Sequence, residues 1–250
     1  RIAEELAAHA LEHGAGVLWG RCYEGGGAPA FWPWIQILRT YLRAFGSASL
    51  AHEMLFTTAE LGRLVPEFGV IVPPGAASSP FDDEEARFRL FDSVTTFFIH
   101  AAQAQPMLLL LDDLHWADQP SLLLLQFMAQ ALQSSPILID SAYRDVEIGR
   151  DHALAKTVAE LSRLRACLSI YLDGLPPHDV AHFIDQYIGH APSAGLVDLV
   201  AAGSAGNPFF VMELTHLLAR SGVEYTPSLT VPPNVRTVIR QRLNRLSSIC

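Results

Sequence analysis

Ile2, Leu6 and Ala10 recur four residues apart with acidic residues between them, which predicts an amphipathic helix over residues 1–13, ended by Gly14 and Gly16. The run VLWGRC (17–22) reads as a short buried strand, and YEGGGAPAFWPW after it reads as a loop from its glycines and prolines. Helical patterns return at about 34–45 and 50–64, and a Pro/Gly/Ser-rich break covers 73–80. DDEEARFRLFDSVTTFFIHAAQ carries acids at its start and Phe88, Phe91, Val94, Thr95, Phe98 and Ile99 at helical spacing. It predicts another amphipathic helix, which leads through Pro106 into a strand of four leucines.

Beyond the acidic residues that follow, the pattern gives a helix (119–133), a strand ILIDSAY (137–143), a helix (151–164) and a strand LSIYLDGL (168–175). Strands alternating with helices at this pace imply a parallel sheet with helices on both faces. From 176 onward no strand pattern appears. Val180, Phe183, Ile184, Tyr187 and Ile188 form one helical stripe, residues 193–202 and 208–220 make two more helices, and PPNVRTVIRQRLNRL starts another after its prolines. The expected organisation is an α/β domain over 1–175, an all-helical lid over 176–230, and the start of a further segment over 231–250. No repeat occurs at solenoid periods.

Half of the 250 residues are hydrophobic, enough for a large core with a smaller satellite. The net charge of -9 argues against a surface built for nucleic-acid phosphates, so direct nucleic-acid binding by this segment is not expected. Cys22, Cys167 and Cys250 are odd in number and far apart, which indicates neither a disulfide framework nor a zinc site. The reading is a reducing cytoplasm. No apolar stretch approaches the roughly 20 residues of a membrane helix, and RIAEELAAHA has neither the apolar core nor the cleavage site of a secretory signal.

The chemistry concentrates in LLLLDDLHWAD (108–118). A buried parallel strand releases its C-terminal end at the crevice where doubly wound sheets bind ligands, which places Asp112 and Asp113 at such an edge. Two neighbouring carboxylates there can divide the work of phosphoryl transfer, one holding Mg²⁺ and the other polarising an attacking water. They can also simply be solvated acids ending a strand. Asp118 with Pro120 reads as a helix start, and Trp116 as core packing. GGG at 25–27 lacks the lysine and hydroxyl of a phosphate loop and reads as a flexible turn.

This segment resembles the Walker B strand of the signal-transduction ATPases of the STAND type, an AAA-like P-loop NTPase module of large bacterial LuxR-type regulators and of some cyclase-associated proteins. The resemblance extends in order through VLWGRCYEGGGAPAFWPW, EEARFRLFDSV, YRDVEIGRDHAL, GNPFFVMEL and VPPNVRTVIRQRLNRLS, and so covers nearly the whole chain. It implies ATP and Mg²⁺ as cofactors, with Asp112 on the metal side and Asp113 as the catalytic carboxylate. It also implies that Arg144 is a sensor arginine for the γ-phosphate and that Pro208 lies near the adenine. From the residues alone, the alternative for Arg144 is a surface ion pair with Asp145 or Asp151, which its place at a strand end disfavours, and Gly206 and Pro208 read equally as a loop and helix start.

The same resemblance marks two departures. No G-x-x-x-x-G-K-[ST] occurs in the 250 residues; the family places it just before the helix that opens with RIAEELA. The phosphate loop and the central first strand are therefore expected to precede Arg1, leaving an empty slot between the strands at 137–143 and 168–175. Asp140 stands where the family has an apolar residue, and an isolated carboxylate in a buried strand must find a partner or shift its pKa upward.

The functional expectation is an ATP-binding and ATP-hydrolysing switch in a multidomain signalling protein, with nucleotide between the sheet edge and the helical domain. Its expected partners are ATP or ADP and the parent's other domains: a winged helix, helical repeats, and a LuxR-type DNA-binding or cyclase domain. Nucleotide-dependent oligomers fit the family too. The alternatives are an inactive interaction scaffold, motivated by Asp140 and the missing phosphate loop, and a hydrolase using Asp112 or Asp113 with His115 on another substrate. No nucleophile elbow accompanies the last.

Overall fold

The computed structural model describes residues 1–25, 27–45, 55–68, 84–149 and 151–220. The expected break at 73–80, the start of the 50–64 helix, the helix after Pro233 and the 231–250 segment lie outside the described residues. The chain divides into two compact units, Arg1–Ser169 and Ile170–Cys250.

In the first unit, α1 (Ile2–Glu12) leads to β1 (Gly16–Arg21), then α2 (Trp32–Phe45), α3 (Leu55–Leu64) and the long α4 (Glu84–Ala104). After these come β2 (Met107–Asp112), α5 (Gln119–Ala131), β3 (Ile137–Ser141) and α6 (Ala153–Leu161). The three strands form one parallel sheet in the order β1-β2-β3. The leucines explain the centre: β2 is flanked on both edges and covered on both faces, so Met107 to Leu111 are all buried.

Alternate leucines of β2 serve opposite faces, as the two-residue period of a strand requires. Leu109 and Leu111 enter the main core with Leu18, Trp34, Ile37, Leu38, Phe97, Phe98, Leu124 and Leu125 from β1, α2, α4 and α5. Leu108 and Leu110 face the other way, onto Ala7 with Ala3, Leu6 and Ala10 of α1. Helices thus cover both faces, as expected from the alternation of elements.

α5 starts where local chemistry says it should. The Asp118 Oδ1 atom accepts the Ser121 N–H at 2.9 Å, and Pro120 sits in the first turn, where a missing N–H removes no helical bond. Asp118 also reaches across the fold: its Oδ1 accepts the Phe31 N–H at 3.2 Å. That bond fastens the end of the glycine loop, where the fully buried Phe31 holds a left-handed φ of 62°.

The expected strand at 168–175 does not form. The backbone there has no regular structure, and Leu168, Ile170, Tyr171 and Leu172 are 82, 74, 78 and 71% exposed. A strand exists only where a neighbour completes its ladder of N–H and C=O groups. β3 is the last strand of the sheet and pairs only with β2 among the described residues, and its Leu138 is 55% exposed. The apolar run therefore has strand composition without a partner. β3 itself ends at Ser141, two residues short of the expected Tyr143.

The second unit contains α7 (Pro177–Ile188), α8 (Ala194–Ser204) and α9 (Pro208–Arg220), packed around Val180, Ile184, Val200, Val211, Leu214 and Leu218. Gly206 has φ 72°, and its carbonyl accepts the Leu175 N–H at 2.7 Å, so the turn before α9 closes against the segment before α7. Pro208 is the first residue of α9 and is exposed. No described helix is long and apolar enough to cross a membrane.

Candidate functional site

The parallel register brings three strand ends to one edge. Arg21, the last residue of β1, stands opposite Asp112, the last residue of β2. Directly after β3, Ala142 donates its N–H to the Leu111 carbonyl at 3.0 Å and its carbonyl accepts the N–H of Leu114 at 2.9 Å. Arg144 follows two residues later. Asp112, Asp113 and Arg144 thus come from neighbouring chain segments at the carboxyl ends of the strands, the place where such sheets bind ligands.

Asp113 turns the chain out of the strand. Its φ of 56° and ψ of 41° are left-handed, a conformation that aspartate and asparagine tolerate better than other side chains. The Asp113 N–H donates to Asp112 Oδ1 at 3.0 Å, and the two carboxylates remain partly accessible.

The residue that sequence reading missed is Arg21. Its Nη2 and Nε donate to Asp112 Oδ2 at 2.7 and 3.2 Å, and Nε lies 3.8 Å from Asp113 Oδ2. The hydrogen bond and then the charge of Asp112 raise the pKa of Arg21; burial opposes them, and the charge of Asp113 adds the smallest upward contribution. The Gln36 amide fixes the backbone beneath it, donating to the Arg21 carbonyl at 2.8 Å and accepting the Arg21 N–H at 3.4 Å. Aligning the ends of VLWGR and LLLLD as parallel neighbours would have found the pair; the separation of 91 residues hides it from any local pattern.

Arg144 forms an ion pair, but with neither Asp145 nor Asp151: its Nη1 lies 3.1 Å from Glu147 Oε1. Its guanidinium carbon also lies 5.9 Å from the centre of the Trp116 ring. Pro208 belongs to the second compact unit, at the start of α9.

Asp140 pairs in register with Leu110. Burial raises its pKa first, the charge of Asp112 raises it further, and a hydrogen bond from the Ser141 backbone opposes both. A carboxyl group raised in the folded state binds more protons there than in the unfolded chain. Its ionisation therefore removes stability as pH rises from the ordinary value of 3.8 through the folded value. Asp140→Asn should accordingly be more stable than the parent at neutral pH, with the gain disappearing below the ordinary carboxylate range. Urea midpoints at both pH values check this, and an equal gain at both would reject the assignment.

A cavity of about 220 Å³ opens beside this edge, lined by Cys22, Tyr23, Trp32, Pro33, Trp116 and Asp118 among others, but not by Asp112, Asp113 or Arg144. Burial pushes the Cys22 thiol up to about 12, helped by the charges of Asp118, Asp113 and Asp112. Because the thiolate is the reactive form, a maleimide should label the exposed Cys167 in the native chain and reach Cys22 only after unfolding. Peptide mass spectrometry distinguishes the two, and rapid native labelling of Cys22 would contradict its burial.

The comparisons with known proteins bear on the same region. A family model described as an AAA ATPase domain matches residues 1–139, which include β1, the Asp112–Asp113 edge and most of β3. No curated protein and no solved structure gives a significant match. With more than half of its length matched by that family of nucleotide-binding and nucleotide-hydrolysing modules, the chain belongs to the AAA ATPase domain family.

Proposed function

We propose that the chain is the ATP-binding and ATP-hydrolysing module of a multidomain STAND-type signalling protein or transcriptional regulator in the cytoplasm, where it acts as a nucleotide-dependent switch. The observation that carries this reading is the pair Asp112–Asp113 at the end of the buried central strand, with Arg144 following the parallel strand beside it. Residues of these types at a strand edge suit phosphoryl transfer, which depends mainly on positioning and charge.

The Asp112 carboxylate fits a divalent cation: it is a hard oxygen donor, partly accessible, and in this structure it already stabilises the positive charge of Arg21. Mg²⁺, when bound, supplies charge neutralisation for the phosphates. Asp112 would hold it and Asp113 would accept a hydrogen bond from the attacking water. Arg144 would donate to the γ-phosphate. Because no phosphate-loop motif occurs in these 250 residues, turnover is to be measured on the full-length gene product. The deciding experiment is the Asp113→Asn variant of that protein.

A second reading, an interaction scaffold without turnover, is favoured by Asp140, a carboxyl placed in β3 with a raised pKa. Absence of Mg²⁺-dependent hydrolysis by the unaltered full-length protein would select it. In the switch reading, the partners are the other domains of that protein and, in the nucleotide-bound form, further copies of it.

A further inference from the structure

His115 is a buried group near the strand edge with no part in the proposed phosphate chemistry. Its side chain is 1% exposed. The Nδ1 atom accepts the backbone N–H of Arg144 at 3.4 Å, and a neutral ring that accepts at Nδ1 carries its proton on Nε2. That Nε2–H has no hydrogen-bond partner, although Glu147 Oε2 lies only 3.3 Å away. The distance is adequate and the alignment is not, while the other oxygen of the same carboxylate lies 3.1 Å from Arg144 Nη1. A buried donor left unsatisfied is costly, and a native structure that keeps one invites an explanation.

We propose that His115 is a positioning residue whose buried Nε2–H takes over Glu147 when Arg144 turns to a bound phosphate, so that Glu147 exchanges between Arg144 and His115. The geometry supplies each part. Glu147 faces both partners, one through each oxygen. The Arg144 side chain is 42% exposed, held by Glu147 and lying 5.9 Å from the centre of the Trp116 ring, whereas its backbone N–H is fastened to the His115 ring. Releasing an exposed arginine from a carboxylate removes a weak ion pair. Satisfying a buried N–H with a carboxylate provides a stronger, charge-assisted bond in its place. His115 thereby lowers the cost of freeing Arg144 and keeps the released carboxylate away from the incoming phosphate. The proposal rests on the reading of Arg144 as the phosphate-contacting arginine.

Arg144→Met imitates the released state without any nucleotide. In the ¹⁵N-histidine-labelled 250-residue protein, the His115 Nε2–H resonance of this variant should move downfield and exchange with solvent at least about tenfold more slowly than in the parent, the protection expected of one added charge-assisted bond. Both changes should vanish in Arg144→Met/Glu147→Ala. A His115 resonance unchanged in Arg144→Met, or changed equally in the double variant, would overturn the exchange. A merely structural histidine would not respond to loss of an exposed arginine side chain. Because this readout contains no nucleotide, its failure is distinguishable from failure of the ATPase reading, which turnover judges separately.

Discussion

Asp113→Asn in the full-length protein should lower the maximal rate of ATP hydrolysis at least about a hundredfold while leaving ATP binding in place. Asparagine matches aspartate in size and is among the few residues that accept left-handed backbone, so the φ of 56° at this position costs the variant little extra. Loss of the 3.8 Å contact with Arg21 is a minor term, because that arginine is 69% exposed. What asparagine cannot supply is the negative, proton-accepting oxygen that polarises water. Turnover and nucleotide affinity measured side by side decide the matter. A rate equal to that of the parent would remove Asp113 from the chemistry, and loss of binding together with rate would mean that the edge had rearranged.

Gly20→Ala should be the most damaging small substitution in the first unit. A Cβ at Gly20 would collide with the Pro33 carbonyl oxygen, lie 2.9 Å from the Pro33 carbonyl carbon and 3.1 Å from Ile37 Cδ1. The first two are backbone atoms in the opening turn of α2, and the proline ring fixes φ there, so they cannot move aside as a side chain tip could. The helix itself would have to lift, and with it Trp34, Ile37 and Leu38, all fully buried against the sheet. A loss of roughly 3 kcal/mol follows from overpacking of this kind. In a unit of this size it corresponds to a midpoint lowered by about 6–12 °C. Gly149→Ala is the control, since nothing lies within 4 Å of its added Cβ. Thermal denaturation of the two variants checks the argument, and equal midpoints would show that α2 yields more readily than its packing implies.

The two predictions differ in how far the sequence reveals their basis. Asp113 stands out in LLLLDD because a carboxylate pair ending an apolar strand is a local signal. The demand for glycine at position 20 is not visible in VLWGRC, because it comes from α2 crossing β1. Arg21 was overlooked for the same reason: its partner lies 91 residues away and is reached only through the parallel register. Nearness in sequence points Arg144 to acids other than its partner. Asp145 and Asp151 are near in sequence, but the turn at Asp145–Glu147 returns Glu147 to Arg144 instead.

The segment at 168–175 shows the opposite error. Its composition is that of a strand, yet composition expresses a tendency to join a ladder and cannot provide the neighbour that completes one. Here that tendency leaves four large apolar side chains exposed.

Periodicity, punctuation and caps were enough to establish the succession of helices and strands outside the segment at 168–175, the burial of the leucine strand and the start of α5 at Asp118. These depend on contacts within a few residues along the chain, where spacing alone decides which side chains share a face. The order β1-β2-β3, the Arg21–Asp112 pair and the His115–Glu147–Arg144 cluster emerged from the folded chain alone. Each depends on segments remote in sequence meeting in one register, and that register is set by the packing of the whole unit.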